Sequence, residues 1–177
     1  MSHALRHDPR KYGLELDNEG WTSIEALLDA IRRTGQEWST LNPDDMTEMM
    51  ETSSKQRHEI DGTRIRALYG HSLPDKIDKE RADPPEYLFH GTSPAAWGVI
   101  QSEGLQPMRR QYVHLARDEA TAVAVGRRKA ADPIILRVRA GDAHEAGVAF
   151  SLGNNAVWLA DAVPAEFIAI YSPDVNS

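Results

Sequence analysis

Arg6-His7-Asp8-Pro9 sets a guanidinium beside an imidazole near the first helix. Together they can bind a phosphate through charge-assisted bonds and move a proton near neutral pH, although an adjacent Arg-His pair on a solvated helix is also ordinary. Lys55-Gln56-Arg57-His58 and Gly70-His71-Ser72 bracket a hairpin pattern and read equally as solvated turns. His90-Gly91-Thr92-Ser93 ends a strand with an imidazole, a glycine whose backbone a planar ligand can approach, and two hydroxyls. Met108-Arg109-Arg110-Gln111 leads into Tyr112-Val113-His114-Leu115. Alternation puts Tyr112 and His114 on one face of that strand and Val113 and Leu115 on the other. The competing readings are a satisfied core histidine for His114 and a solvated pair for Arg109-Arg110.

Several chemistries drop out. The 7 histidines offer no HExxH motif and there is no cysteine, so no metal site, thiol nucleophile or disulfide framework is expected. Neither a GxxxxGK[ST] loop nor a GxGxxG turn is present, so a nucleotide would have to be held another way. The 177 residues carry 27 acidic against 20 basic side chains, a net charge of −7, which does not suggest a general nucleic-acid binder. The average hides a bias: residues 1–80 hold 11 basic and 16 acidic groups, whereas residues 105–139 hold 8 and 3. Without a membrane-length apolar run or a signal-peptide pattern, the expectation is a soluble, cytoplasmic protein with no membrane partner.

The elements that must position these residues fall into two lobes. Thr22 and Glu25 stand three apart as a capping box, followed by Ile24, Leu27, Leu28 and Ile31 at helical spacing, with Gly35 as the stop. A second helix starts at Asn42-Pro43-Asp44-Asp45, with Met46, Met49 and Met50 facing inward. Asp61-Gly62 is a two-residue hairpin signal. Helix, helix, hairpin is a winged-helix order, whose wing and second helix often meet nucleic acid. Residues 73–87, with Pro84-Pro85 and many charges, read as a linker. Beyond it, strands are expected near residues 87–90, 112–115, 133–138, 157–159 and 167–170, and helices over 94–102 and 118–128. The fold class is α+β.

LRHDP, GLELDNEGW, KQRHEIDGTRIRALYGHS, LFHGTS, RRQYVHL, VGRR, PIILRV and VWLADAVPAEFI occur in this order. In this the sequence closely resembles the RNA 2′-phosphotransferases of the KptA family, from about Met1 to Ile170. The resemblance implies a winged-helix, RNA-binding lobe over residues 1–80 and an ADP-ribosyltransferase-like, NAD-binding lobe over residues 81–177. The implied reaction moves an internal RNA 2′-monophosphate to NAD through an ADP-ribosylated 2′-phosphate, releasing nicotinamide and ADP-ribose 1″,2″-cyclic phosphate. Arg6, His7, Arg57 and Arg110 match the family's essential set. His90, Gly91, Thr92 and Ser93, with His114 and Val157, match its NAD side, Val157 standing where related protein-modifying transferases carry a glutamate. The implied partners are NAD as co-substrate and an RNA bearing a 2′-phosphate, such as a tRNA, with the protein acting as a monomer.

The resemblance departs in three places. The stretch before Leu-Arg-His is short, which would loosen the placement of Arg6 and His7, and His58 and Tyr69 stand where the family commonly has Phe and Gln. Two rival readings stay open at this point. One is an ADP-ribosyltransferase acting on nucleic-acid phosphate ends, the other a non-catalytic RNA or ADP-ribose binding module.

Overall fold

In the computed structural model, which describes residues 1–53 and 55–172, the chain divides into two units, Met1–Lys79 and Glu80 onward. The architecture is α+β, with two antiparallel sheets and six α-helices among the described residues.

In the first unit, α1 (Ser2–Arg6), α2 (Ile24–Arg32) and α3 (Pro43–Glu51) accompany β1 (Trp21–Ser23), β2 (His58–Asp61) and β3 (Arg64–Ala67). The strands pair in the order β1-β3-β2. Ala4, Leu5, Leu27, Leu28, Ile65 and Ala67 are fully or almost fully removed from water and form the core. Each buried leucine or isoleucine contributes roughly 1.5–3 kcal/mol. The α3 start has the expected capping box, Asn42 accepting from the Asp45 amide while Asp45 accepts from that of Asn42.

Other local expectations shift. Thr22 does not cap α2, because the β1 ladder takes it opposite Ile65, and Ser23 Oγ accepts from the Ala26 amide instead. The helix ends at Arg32, before Gly35, which lies in extended backbone ahead of a 3-10 turn. Met46 is buried and Met50 packs against the core, but Met49 is 46% exposed, since residues four apart share a helix face and the residue between them flanks it. The hairpin loop is Gly62-Thr63, one residue later than expected. Asp61 still pairs with Arg64, and Gly62 (φ 58°) supplies the left-handed conformation that the turn needs.

The second unit contains β4 (Tyr87–Thr92), α4 (Pro94–Glu103), β5 (Val113–Ala116), α5 (Glu119–Gly126), β6 (Ile134–Arg139), α6 (Ala140–Glu145), β7 (Phe150–Asn154), β8 (Val157–Ala160) and β9 (Ile168–Ile170). Its sheet order is β7-β8-β5-β4-β6-β9. Leu88, Val113, Leu115, Leu136, Val138, Phe150 and Trp158 pack on one face with Ile100 of α4 and Ala140 and Ala143 of α6. Residues 73–87 do not hang free as a linker. Ile77 packs beside Gly20 and the Asp78 amide donates to the Asn18 carbonyl in the first unit, while the Ala82 amide donates to the Phe150 carbonyl in the second.

Helix α5 lies on the opposite face, over Gly91. A Cβ at residue 91 would collide with the Ala122 carbonyl and the Gly126 backbone. The glycine is therefore required by helix-on-strand packing, α5 filling the side on which a Cβ would stand. Gly91→Ala should destabilise the second unit by about 3 kcal/mol, the upper end for overpacking against backbone. Thermal denaturation checks this, and an unchanged melting temperature would contradict it.

Candidate active site

The first unit gathers Arg6, His7, Arg57 and His58 around the end of α1. Ala4 and Leu5 are completely buried, so the next turn of the helix puts Arg6 and His7 at the half-exposed boundary. Two bonds fix that end: the Ser72 amide donates to the Arg6 carbonyl at 2.9 Å, and His7 Nδ1 shares a 2.8 Å bond with Ser72 Oγ. The hydroxyl thus sets the rotation of the imidazole. Arg57 closes the open end of the β2-β3 hairpin, its carbonyl accepting from the Leu68 amide. His58 pairs with Ala67 in the ladder and is 9% exposed, its Nε2 lying 3.3 Å from Ser2 Oγ.

Burial pushes His58 from 6.5 down to about 4, and the charges of Arg6, the N-terminal ammonium and Arg57 push in the same direction. Both guanidiniums are thus felt by one neutral ring, which puts two of the four family-matched residues, Arg6 and Arg57, in one electrostatic neighbourhood. A neutral imidazole adds no charge there. Ser2 at the start of α1 also ties back to this ring, which tethers the short helix.

The β2-β3 hairpin and α3, by contrast, are not basic surfaces. Arg66 is bound by Glu59 at 2.7 Å and Glu19 at 3.3 Å and lies over the Trp21 ring, and Arg64 pairs with Asp61 at 3.1 Å. Helix α3 carries Asp44, Asp45, Glu48 and Glu51 with no cation. These carboxylates disfavour a phosphate there.

In the second unit, the geometry is set by a break in the sheet. Strand β4 pairs with β6 over six residues, and β5 with β8 over four, but β4 and β5 share one registered pair, Phe89 and Ala116. Past that pair the strands part, so His90-Gly91-Thr92 and Val113-His114-Leu115 are not laddered to each other. His90 spans the opening: its Nδ1 is 2.9 Å from the His114 carbonyl, which can only accept, so Nδ1 carries the proton. Nε2 is then the acceptor, and the Lys129 ammonium lies 3.5 Å from it. Burial, and then Lys129, lower His90 to about 4, so this ring is neutral at physiological pH.

The remaining candidates lie on or next to β4, β5 and β8. Thr92 is buried, and Ser93 is the N-cap residue of α4. Val157 is half-buried and pairs with Ala116, in the cross-strand row of the single β4-β5 link. Val113 and Leu115 are buried while His114 is only half-buried, as alternation predicts. Arg110 is exposed and ends a turn in which its amide donates to the Pro107 carbonyl, with Met108 left-handed at φ 58°. Lys129 was missed by sequence reasoning. Its only signal was the basic run Arg127-Arg128-Lys129, which reads as solvated. Among the described residues no group of three or more His, Asp or Glu side chains is placed to hold a metal ion, and no helix is long and apolar enough to cross a membrane.

Comparison with known proteins agrees with these motifs. Residues 1–162 match the RNA 2′-phosphotransferase, Tpt1 / KptA family. A probable RNA 2′-phosphotransferase of Bacillus thuringiensis subsp. konkukian is 55% identical over 170 residues, 96% of this chain and 91% of that one. Its counterpart in Acetivibrio thermocellus is 48% identical over 168 residues, 95% and 92% of the two chains. One from Streptomyces griseus subsp. griseus is 40% identical over 179 residues, covering 96% and 93%. The chain belongs to the RNA 2′-phosphotransferase family.

The neutral His58 has a measurable consequence. Its folded value near 4 lies below the ordinary 6.5, so the native state binds fewer protons than the unfolded chain between those pH values. Its contribution is complete above about pH 6.5 and is lost as pH falls toward 4. Between pH 7 and 4.5 this group alone should cost about 2 kcal/mol. His58→Phe should remove that share of the acid sensitivity, read by urea denaturation at the two pH values. An acid loss of the same size in the variant would contradict the assignment.

Proposed function

We propose that this enzyme removes an internal 2′-monophosphate from RNA, a tRNA being one such substrate, with NAD as co-substrate. The first unit is read as a winged-helix module and the second as an ADP-ribosyltransferase-like module. The observation that carries the reading is the parting of β4 from β5 at the His-Gly-Thr strand, with a neutral His90 locked in one tautomer, in a chain whose family acts on RNA 2′-phosphates.

NAD supplies an electrophilic ribose carbon and nicotinamide as leaving group. The phosphate oxygen bonds to C1″ as the glycosidic bond breaks, its electron pair leaving on the nicotinamide nitrogen. The ribose 2″-hydroxyl then attacks phosphorus, the bond to the RNA 2′-oxygen breaks, and a proton passes from the attacking oxygen to the departing one. This chain's residues divide that work. The His90-Gly91-Thr92-Ser93 and His114 edges hold the dinucleotide and keep its reactive carbon aligned and away from water. The uncharged His90 adds no charge where positive charge grows on the ribose. An RNA phosphate is already anionic and needs no base to become a nucleophile, so the apolar Val157 suits it where a carboxylate would repel it. Arg6, Arg57 and Arg110 bind the phosphate and stabilise the charge that develops during its transfer. His7, oriented by Ser72, carries the proton.

Incubation with NAD and a short RNA bearing one internal 2′-phosphate tests the reading. Nicotinamide should appear in equal amount to the dephosphorylated RNA, together with ADP-ribose 1″,2″-cyclic phosphate, and without ATP or a divalent metal. Phosphate removal at full rate without NAD would sink it. Accumulation of stable ADP-ribosylated phosphate ends as final product would replace it by end modification.

A further inference from the structure

Beyond the phosphate-binding end of α1, the first unit carries a second basic, aromatic surface with no assigned role. The His3 ring lies 5.7 Å from that of His7, and the Tyr12 ring lies 5.8 Å beyond His3. Both pairs are tilted, at 56° and 58°, so neither ring is covered face to face by its neighbour. His3 is exposed and Tyr12 half-exposed. Tyr12 then borders an open cavity of about 330 Å³ lined by Lys11, Tyr12, Ala30, Arg33 and Thr34.

The charges of this cavity stand out against the rest of the unit. Lys11 and Arg33 are exposed, and neither makes an ion pair among the described residues, whereas the adjacent Arg32 is bound by Asp29 at 2.9 Å. No carboxylate lines it. Another surface cavity of this unit, lined by Asp17, Asn18, Glu19 and Arg64, has two carboxylates. In a lobe with more acids than bases, two unpaired cations beside an aromatic ring mark the place where a polyanion is not repelled. Short turns hold both cations: a 3-10 turn over Arg10–Tyr12, with the Lys11 amide on Asp8 Oδ1, and the end of α2, where Thr34 Oγ1 donates to the Ile31 carbonyl. Arg33 at a helix C-terminus also favours the helix dipole, but that role does not account for Lys11 or Tyr12.

We propose that His3, Tyr12, Lys11 and Arg33 form a binding track for single-stranded RNA that carries the nucleotides next to the 2′-phosphate. The proposal rests on the reading above that Arg6 and His7 hold that phosphate. The His3 ring touches both of the others, at 5.7 Å from His7 and 5.8 Å from Tyr12, so the three rings form one contiguous aromatic surface. The rings offer sequence-tolerant stacking surfaces, and Lys11 and Arg33 each receive a backbone phosphate at the far end. An acidic peptide would use the cations but not the rings, so the aromatic steps favour RNA.

Binding of an unmodified RNA ten-mer, a 2′-phosphorylated dinucleotide and polyglutamate to the full chain, followed by fluorescence anisotropy, tests this. In the Lys11→Ala/Arg33→Ala double variant, the ten-mer should weaken about tenfold relative to the dinucleotide. The slope of log affinity against log salt should fall by about 1.4 for two lost phosphate contacts on a single strand. Tyr12→Ala should weaken the ten-mer without changing that slope, and Tyr12→Phe should restore it. An unaltered ten-mer affinity and slope in the double variant would overturn the track, as would equal losses for ten-mer and dinucleotide or polyglutamate binding as tightly as RNA. Failure of the wild type to act on the dinucleotide with NAD would instead refute the parent reading.

Discussion

The second unit depends on the pairing that β4 and β5 do not make. A six-stranded antiparallel sheet ordinarily satisfies its inward backbone groups by laddering each strand to both neighbours. Here β4 is fully laddered to β6 and β5 to β8, but only Phe89 and Ala116 register across the middle. The sheet keeps its continuity through that pair and its buried face through Leu88, Leu115, Leu136 and Trp158. Beyond it the strands are free to part. His90 bonded to the His114 carbonyl bridges the opening with a side chain, where a ladder would have closed it. Helix α5, seated on Gly91, braces β4 from the other face.

The first unit solves an electrostatic problem. Acids outnumber bases 16 to 11 over residues 1–80, and the charges are unevenly placed. Carboxylates from Glu19, Glu59 and Asp61 take up the hairpin arginines Arg64 and Arg66, and α3 is acidic, so neither element attracts phosphate. At the end of α1 the arrangement reverses. Arg6 and Arg57 act on a histidine kept neutral by burial, and the His7 ring is turned by a serine that is also tied to the same helix end through its backbone.

Legibility in the sequence followed the range of the interaction. The Asn42-Pro43-Asp44-Asp45 start, the hairpin and the strand of His114 follow from neighbours within four residues, and they appear in the structure at or within a residue of expectation. Errors arose where a distant partner decided. The pairing of Thr22 with Ile65 moved the α2 cap to Ser23, and Gly91 turned out to be required by α5. β7 and α6 went unread because Phe-Ser-Leu-Gly-Asn and Ala-Gly-Asp-Ala-His-Glu are short, with weak periodicity. The site residues were legible as motifs and through family resemblance. Their setting was not, since the parting of β4 from β5, the Lys129 contact with His90 and the neutralised β2-β3 hairpin all depend on cross-strand register or long-range approach.

The central claim is a division of labour, in which the second unit holds NAD and the Arg6-His7-Arg57 cluster serves transfer of the phosphate. Time courses of His7→Ala and Arg57→Ala with NAD and an RNA carrying one internal 2′-phosphate test it directly. Loss of a donor or proton carrier at the second step costs about 3 to 4 kcal/mol when it acts like an oxyanion-hole contact. The account predicts that both variants still release nicotinamide and build up RNA with ADP-ribose on its 2′-phosphate, seen as a slower gel band that the wild type does not accumulate. Equal loss of both steps, with no such band at any time, would contradict it.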